Sequence, residues 1–276
     1  MISLAIDTKT RKVILSLAVA ALTALWLISA SATAKSYVVT DGLISYWTCN
    51  KADITGDNVK DVWGGQDATM QGGPKIVDGK FGNALEFNGT TDYLLITDDI
   101  KAAKLPKREM TAEVWVYPKH FIEWGGYLGA FQDNGGFEKG WVLGTYWQFS
   151  FAVSTDGAND GDGILTYLKA PAFDMNQWYH VVGTYDGKTM TIYVNGKPEG
   201  TSDVQSGDIH YPDNLFFIIG VYKDDNENFP HMGMLDEVRL YDRALSDSEV
   251  LQNYEAEGLA INPAGKLSLT WGGIKW

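Results

Sequence analysis

Residues 178–197 read Trp-Tyr-His-Val-Val-Gly-Thr-Tyr-Asp-Gly-Lys-Thr-Met-Thr-Ile-Tyr-Val-Asn-Gly-Lys, and this stretch decides the fold class. Met190, Ile192 and Val194 recur with period two, the pattern of a strand with one buried face. Asp186-Gly187 precedes that run and Asn195-Gly196 follows it. Both dipeptides accept the positive φ values of tight hairpin turns. The spacing predicts that 178–185 is the antiparallel partner of the strand 189–194.

Outward from this hairpin, short alternating runs begin near Leu43. Strands are predicted at 44–47, 84–87, 93–96, 111–117, 127–131 and 141–144, then at 149–153, 164–168, 215–219 and 232–241. So many short strands with almost no helix imply an all-β protein, a two-sheet antiparallel jelly-roll sandwich. One short C-terminal helix is predicted, because Ser246-Asp247-Ser248-Glu249 reads as a capping box. Val250, Leu251 and Tyr254 follow it at helical spacing. No linker composition and no repeat interrupts residues 35–260, which read as one domain. In the tail, 261–276, Leu267, Leu269 and Trp271 alternate, consistent with an edge strand or with loose chain.

Hydrophobic residues make up 45% of the 276 and aromatics 13%, ample for a packed core. A net charge of −13 argues against nucleic acid and against attraction to anionic lipid. An acidic surface suits divalent cations and plain solubility alike. Arg11 and Lys12, the apolar run Val13 to Ala30, and Ala32-Thr33-Ala34 have the three parts of a secretory signal peptide over 1–34. Cleavage is expected after Ala34, giving a secreted, extracellular or periplasmic protein with no later membrane span. An uncleaved anchor competes with this reading, since the apolar run approaches spanning length. Cys49 is the only cysteine, so no intrachain disulfide forms, and its thiol is expected to be buried and inert.

Gly82-Asn83-Ala84-Leu85-Glu86-Phe87-Asn88-Gly89-Thr90-Thr91-Asp92-Tyr93 comes first in a series of ordered motifs. Thr111-Ala112-Glu113-Val114-Trp115-Val116-Tyr117-Pro118, Trp178-Tyr179-His180-Val181 and Tyr193-Val194-Asn195-Gly196-Lys197 follow. Gly233-Met234-Leu235-Asp236-Glu237-Val238-Arg239-Leu240-Tyr241-Asp242-Arg243-Ala244-Leu245 closes it. Together, over residues 43–256, they resemble the LamG-like jelly-roll family of concanavalin A-like lectins and glucanases, which is also similar to the pentraxins. The resemblance implies the fold firmly and the function weakly, because such sandwiches host many roles.

Laminarinase-type glycosidases of this architecture carry E-x-D-x-E or E-x-D-x-x-E on one strand, holding two carboxylates about 5–5.5 Å apart. No such motif occurs. Glu113 has Trp115 and Tyr117 for same-face neighbours, and Glu237 shares parity with Arg239, which predicts an ion pair. His120, His180, His210 and His231 lie in unrelated segments, without G-x-S-x-G or H-E-x-x-H nearby. His180 alternates with Trp178 and Val182 and is expected to be packed and hydrogen-bonded. These readings point away from an enzyme.

Calcium wants hard oxygen ligands from loops. Asp133 and Asn134, in Gln132-Asp133-Asn134-Gly135-Gly136, and Asp224 and Asp225, in Lys223-Asp224-Asp225-Asn226-Glu227-Asn228, are the metal candidates. The pentraxin resemblance places calcium ligands in these loops, although Tyr222 stands where an acidic ligand is expected. Turn chemistry alone also explains such residues. Asp236 shares parity with Val238 and Leu240, so its carboxylate is expected to face the core and to need donors or an ion, the latter shared with Asn50 and Asp53. The acidic loop 156–163 reads as a hairpin tip. Trp124, Trp141, Tyr146 and Trp147, in or beside loops, are the ligand-binding candidates, since flat aromatic rings stack on sugars.

The expected function is a non-catalytic binding module for a glycan, a glycosylated partner or another extracellular protein, with Ca2+ as candidate cofactor. The alternative is a structural or adhesive envelope or matrix protein. A polysaccharide-active enzyme would require carboxylates from different strands to converge. Oligomeric state is left open.

Overall fold

The computed structural model describes residues 37–134, 138–156 and 166–256. The predicted signal peptide, the tail 261–276, Gly135, Gly136 and the loop 157–163 lie outside the described residues. The first strands are β1 (Leu43–Trp47), β2 (Ile54–Thr55), β3 (Asn58–Val59), β4 (Ala68–Gln71), β5 (Lys75–Asp78), β6 (Asn83–Asn88) and β7 (Tyr93–Thr97). The long strands β8 (Met110–Pro118), β9 (Trp124–Asp133) and β10 (Glu138–Tyr146) come next, then β11 (Gln148–Val153) and β12 (Thr166–Lys169). Then come β13 (Tyr179–Tyr185), β14 (Met190–Val194), β15 (Lys197–Ser202), β16 (Phe216–Ile219), β17 (Val221–Lys223), β18 (Asn228–Pro230) and β19 (Met232–Tyr241). Helix α1 (Asp247–Glu255) ends the series, with the Ser246–Glu249 capping box formed.

Two antiparallel sheets make the sandwich. One runs β15-β14-β13-β8-β19-β6-β5, with β1 added against β19, and the other β12-β11-β10-β9-β16-β7-β4-β3-β2. The predicted 178–194 hairpin is present, with Val181 opposite Val194 and Tyr185 opposite Met190. Trp47, Phe87, Tyr127, Trp141, Phe151, Ile192 and Phe217 belong to one buried cluster fed by both sheets. The strands missed by sequence reading are short or polar. β15 (Lys-Pro-Glu-Gly-Thr-Ser) is a sheet edge with Pro198 and Gly200 inside it, so apolar alternation has nothing to mark.

The face of the first sheet turned towards α1 carries a buried ionic network. Arg239, 1% exposed, donates to Glu113 Oε1 at 2.6 Å, to Tyr46 Oη at 3.0 Å and to Glu237 Oε2. Glu113 also meets His180 Nε2 at 2.9 Å and accepts from Asn253 Nδ2 of α1 at 2.7 Å. Burial alone would raise the Glu113 carboxyl, yet Arg239 and His180 hold it down to about 2. The expected Glu237–Arg239 pair and the hydrogen-bonded His180 are therefore present.

Asp236 departs from its simple parity. Glu237 takes φ 54° and the β19–β8 register slips between Asp236 and Arg239, a β-bulge that breaks the alternation. Asp236 is buried, and its Oδ2 accepts from Phe81 N at 2.9 Å. Asn50 Oδ1 instead accepts from Asn83 N, and Asp53 accepts from Thr48 Oγ1. The loop thus supplies a donor to Oδ2, while Oδ1 is buried with no hydrogen-bond partner among the described residues. Burial, and then the charge of Glu237, push the Asp236 carboxyl up to about 8.

Removing one partner of the network strands buried charge, so Arg239→Ala should cost about 3–5 kcal/mol in urea unfolding. The network's contribution through Glu113 is full above the ordinary glutamate range and is lost as pH falls towards 2. Asp236 has the opposite sign: its raised carboxyl favours the fold at low pH, and that contribution disappears as pH rises through about 8. Asp236→Asn should therefore gain melting temperature over the wild type as pH is raised through that range, which thermal unfolding across pH checks.

Candidate functional site

The second sheet bears the candidate site on β9, under the hairpin formed by β17 and β18. The hairpin can lie close because β9 is glycine-rich there. A Cβ at Gly126 would stand 2.0 Å from the Val221 carbonyl oxygen. Val221 and Tyr222 pack with Phe131, Val142 and Ile218, and Phe229 joins from β18. These apolar contacts seat the hairpin on the sheet.

Its turn is acidic. Asp224 Oδ1 accepts the backbone N–H groups of Asn226 at 2.7 Å and Glu227 at 2.6 Å, an Asx-type turn. Oδ2 of the same carboxylate is buried and has no hydrogen-bond partner among the described residues. Asp133, at the end of β9, brings its carboxylate to this turn. Single oxygens of Asp133, Asp224 and Glu227 all lie within 4.8 Å of one another. Burial raises the Asp224 carboxyl, with the Asp133 charge adding to the rise. Glu227 is raised by burial and then by Asp133 and Asp224. A hard divalent cation is what this donor set fits: it would satisfy the orphaned oxygen and turn mutual repulsion into attraction.

Tyr222 links the triad to an aromatic wall. Its hydroxyl donates to Asp133 Oδ2 at 2.6 Å and lies 3.0 Å from the Tyr167 hydroxyl. Trp124 and Tyr146 stack with ring centres 4.0 Å apart, and Tyr167 stands edge-on to Trp124 at 5.4 Å. Lys169 Nζ sits 3.7 Å above the Tyr146 ring. Trp147 occupies the tight turn between β10 and β11 at φ 63°, is 55% exposed, and lies 5.9 Å from the exposed Phe121 ring. A bulky residue held in left-handed backbone costs on the order of 1–3 kcal/mol, and such strain concentrates at functional sites.

The structure sorts the residues singled out in the sequence. Asp133 and Asp224 come together, and Trp124, Tyr146 and Trp147 cluster on neighbouring strand ends. Asp225 does not join the triad: it is exposed and accepts from Asn214 Nδ2 at 3.1 Å. Asn134 is exposed at the end of β9, outside the triad. Trp141 cannot reach a surface ligand. It is fully buried between the sheets, its indole N–H donating to the Tyr211 hydroxyl at 2.9 Å. Glu227 was missed, although its position three residues after Asp224 is the spacing at which an Asx turn curls back. The likeness of these loops to pentraxins is not confirmed, since Glu227 rather than Asn134 or Asp225 completes the acidic group.

Residues 88–251 match the Laminin_G_3 family, described as the Concanavalin A-like lectin/glucanases superfamily, which is over half of the chain. Pappalysin-1 of Mus musculus is 25% identical over 205 residues, covering 70% of this chain and 12% of that protein. Pappalysin-1 of Homo sapiens is 24% identical with the same coverage, so the chain spans a small part of these relatives. Among solved structures, domain 4 of the GH43 extracellular arabinanase AbnA from Geobacillus stearothermophilus, in complex with arabinotriose, aligns with TM-score 0.52 and 18% identity. That match covers 77% of this chain and 98% of that one. The sialidase of Trypanosoma rangeli aligns with TM-score 0.56 and 18% identity, over 84% of this chain and 37% of that one. The binding domain of Paraclostridial Mosquitocidal Protein 1 gives TM-score 0.56 at 18% identity, over 78% and 52%. At these identities the likeness shows the fold.

Asp224→Asn should abolish divalent-cation binding yet raise the melting temperature of the chelated protein at neutral pH, because one of three clustered charges is gone. In the wild type, a cation at a hundredfold excess over Kd should add about 2.7 kcal/mol. Calorimetric melts with calcium and with chelator read both effects.

Proposed function

The chain belongs to the Concanavalin A-like lectin/glucanases superfamily, and from that premise we propose that it is a secreted, non-catalytic module that binds carbohydrate with the help of Ca2+. The observation that carries this reading is the junction of two elements on one sheet. An oxygen triad fit for a hard cation and a wall of partly exposed aromatic rings meet at Tyr222. Exposed aromatic faces at Trp147 and Phe121 offer the flat apolar surface that a sugar ring stacks on. Lys169 adds a donor beside Tyr146.

The ion would be held by Asp133, Asp224 and Glu227, and would supply open coordination positions for sugar hydroxyls. The protein's own part is placement. The Asx turn fixes Asp224, Tyr222 orients Asp133, and the β9 glycines let the hairpin approach. A role in binding is also supported by the buried acids Glu113 and Glu237. Both are engaged by Arg239, beneath α1 and on the other sheet, so their carboxylates serve the fold. The arabinanase domain holding arabinotriose supports carbohydrate as the ligand class. The signal-peptide pattern of residues 1–34 supports export.

A glycan array probed with and without calcium tests the reading. Binding should require calcium, disappear in Asp224→Asn, and weaken about tenfold in Trp147→Ala, equivalent to about 1.4 kcal/mol. Glycan binding untouched by both substitutions would sink it, and failure to bind calcium would hand the lead to the adhesive reading.

A further inference from the structure

Where β5, β6 and β19 meet, away from the triad, the surface encloses a cavity of about 180 Å³. This holds far more than one water, yet falls below the clefts of about 300–1,000 Å³ that take drug-sized ligands. It suits a single ring.

Its walls follow from strand register. Lys75 pairs with Glu86 across β5 and β6, and Met232 pairs with Asn88 across β19 and β6. The Lys119 backbone N–H donates to the Met232 carbonyl at 3.0 Å, and its ammonium pairs with Glu86. Phe87, 1% exposed, turns its ring inward against Gly220 and His231, so β6 gives the cavity its outward residues Glu86 and Asn88. Met232, 39% exposed, lies over Gly89, where a Cβ would come within 2.7 Å of the Met232 Cβ. The turn from Asn88 to Asp92 is locked from within. Asn88 Oδ1 accepts from the Thr90 and Thr91 N–H groups at 2.8 and 2.9 Å, and Asn88 Nδ2 donates to Asp92 Oδ1 at 2.9 Å. The Lys75 ammonium makes no hydrogen bond or ion pair among the described residues.

We propose that this cavity is a second subsite, for one uncharged sugar residue. Two lysines face two carboxylates, so the lining is neutral and repays neither an anion nor a cation. Hydroxyl groups can accept from Lys75 and donate to the spare lone pairs of Glu86 and Asp92. Met232 provides the apolar contact that a ring face needs, and its thioether adapts to ring shape. A zwitterionic amino acid fits less well. Lys75 could take its carboxylate, but the Glu86 charge is already compensated by Lys119 and Asp92 already accepts from Asn88 and Thr91. Each acid thus keeps a lone pair for a neutral hydroxyl and no uncompensated charge for an ammonium. No residue of this subsite belongs to the triad or the aromatic wall, so it stands or falls apart from the calcium-dependent site.

The test is amide-resolved NMR titration of the protein with arabinose, galactose and glucose, alongside glucuronate and glycine. Neutral sugars should shift the amides of Asn88, Gly89 and Met232 with Kd of about 1–10 mM. Lys75→Ala should weaken this about tenfold, and Met232→Trp, which fills the mouth, should remove it. Asp224→Asn should leave it intact, and thermal melts should show all three variants folded. The proposal is overturned if sugars shift only residues near Trp147, if glucuronate or glycine binds as tightly as the neutral sugars, or if neither cavity variant changes binding. Loss of calcium binding with these shifts preserved would reject the cation reading alone.

Discussion

A single buried guanidinium holds the molecule together. Arg239 sits on the central strand β19, between Glu113 of β8 and Tyr46 of β1, and gathers Glu113, Glu237 and Tyr46 around it. Taking such charges out of water is costly unless each finds partners, and breaking one pair leaves the other stranded. Glu237 lies two residues before the arginine on β19, at the bulge, and Glu113 stands directly opposite the arginine on β8. The C-terminal helix depends on the same network, since Asn253 reaches Glu113 as well as the Tyr241 hydroxyl and the Val39 N–H. One polar cluster thus joins the start, middle and end of the described chain.

The other acidic cluster has the reverse electrostatics. Glu113 is driven down because Arg239 and His180 overcome its burial, whereas Asp224 and Glu227 are driven up by burial and then by neighbouring carboxylates, Asp133 for both and Asp224 for Glu227. The same residue chemistry serves an internal ion network on one sheet and gathers three acids that could hold a metal ion on the other.

The two sheets also differ in what covers them. Helix α1, through Val250, and Leu245 just before it close over the first, against Tyr46, Val182 and Tyr193. The second carries, among the described residues, the short β17–β18 hairpin, whose aromatic residues continue towards Trp124 and Tyr146 and end in exposed rings at Trp147 and Phe121. No helix among the described residues is long and apolar enough to cross a membrane.

Sequence by itself determined the sandwich, the 178–194 hairpin, the bounds of β19 and the capped helix. Each follows from local periodicity or turn chemistry that a few neighbouring residues specify. It also marked Asp133, Asp224, Trp124, Tyr146 and Trp147 by residue type in loops. It could not separate Trp141, whose indole lies between the sheets, from aromatics at strand ends, because alternation does not say which sheet covers a face. Nor could it bring Glu227 rather than Asp225 to Asp133, or place Asp236 beyond a bulge. Those outcomes depend on side chains about 90 residues apart meeting across a hairpin, and on a one-residue register slip. Only the packed tertiary structure decides them, since the free energy that selects them arises from burial and charge pairing between distant segments.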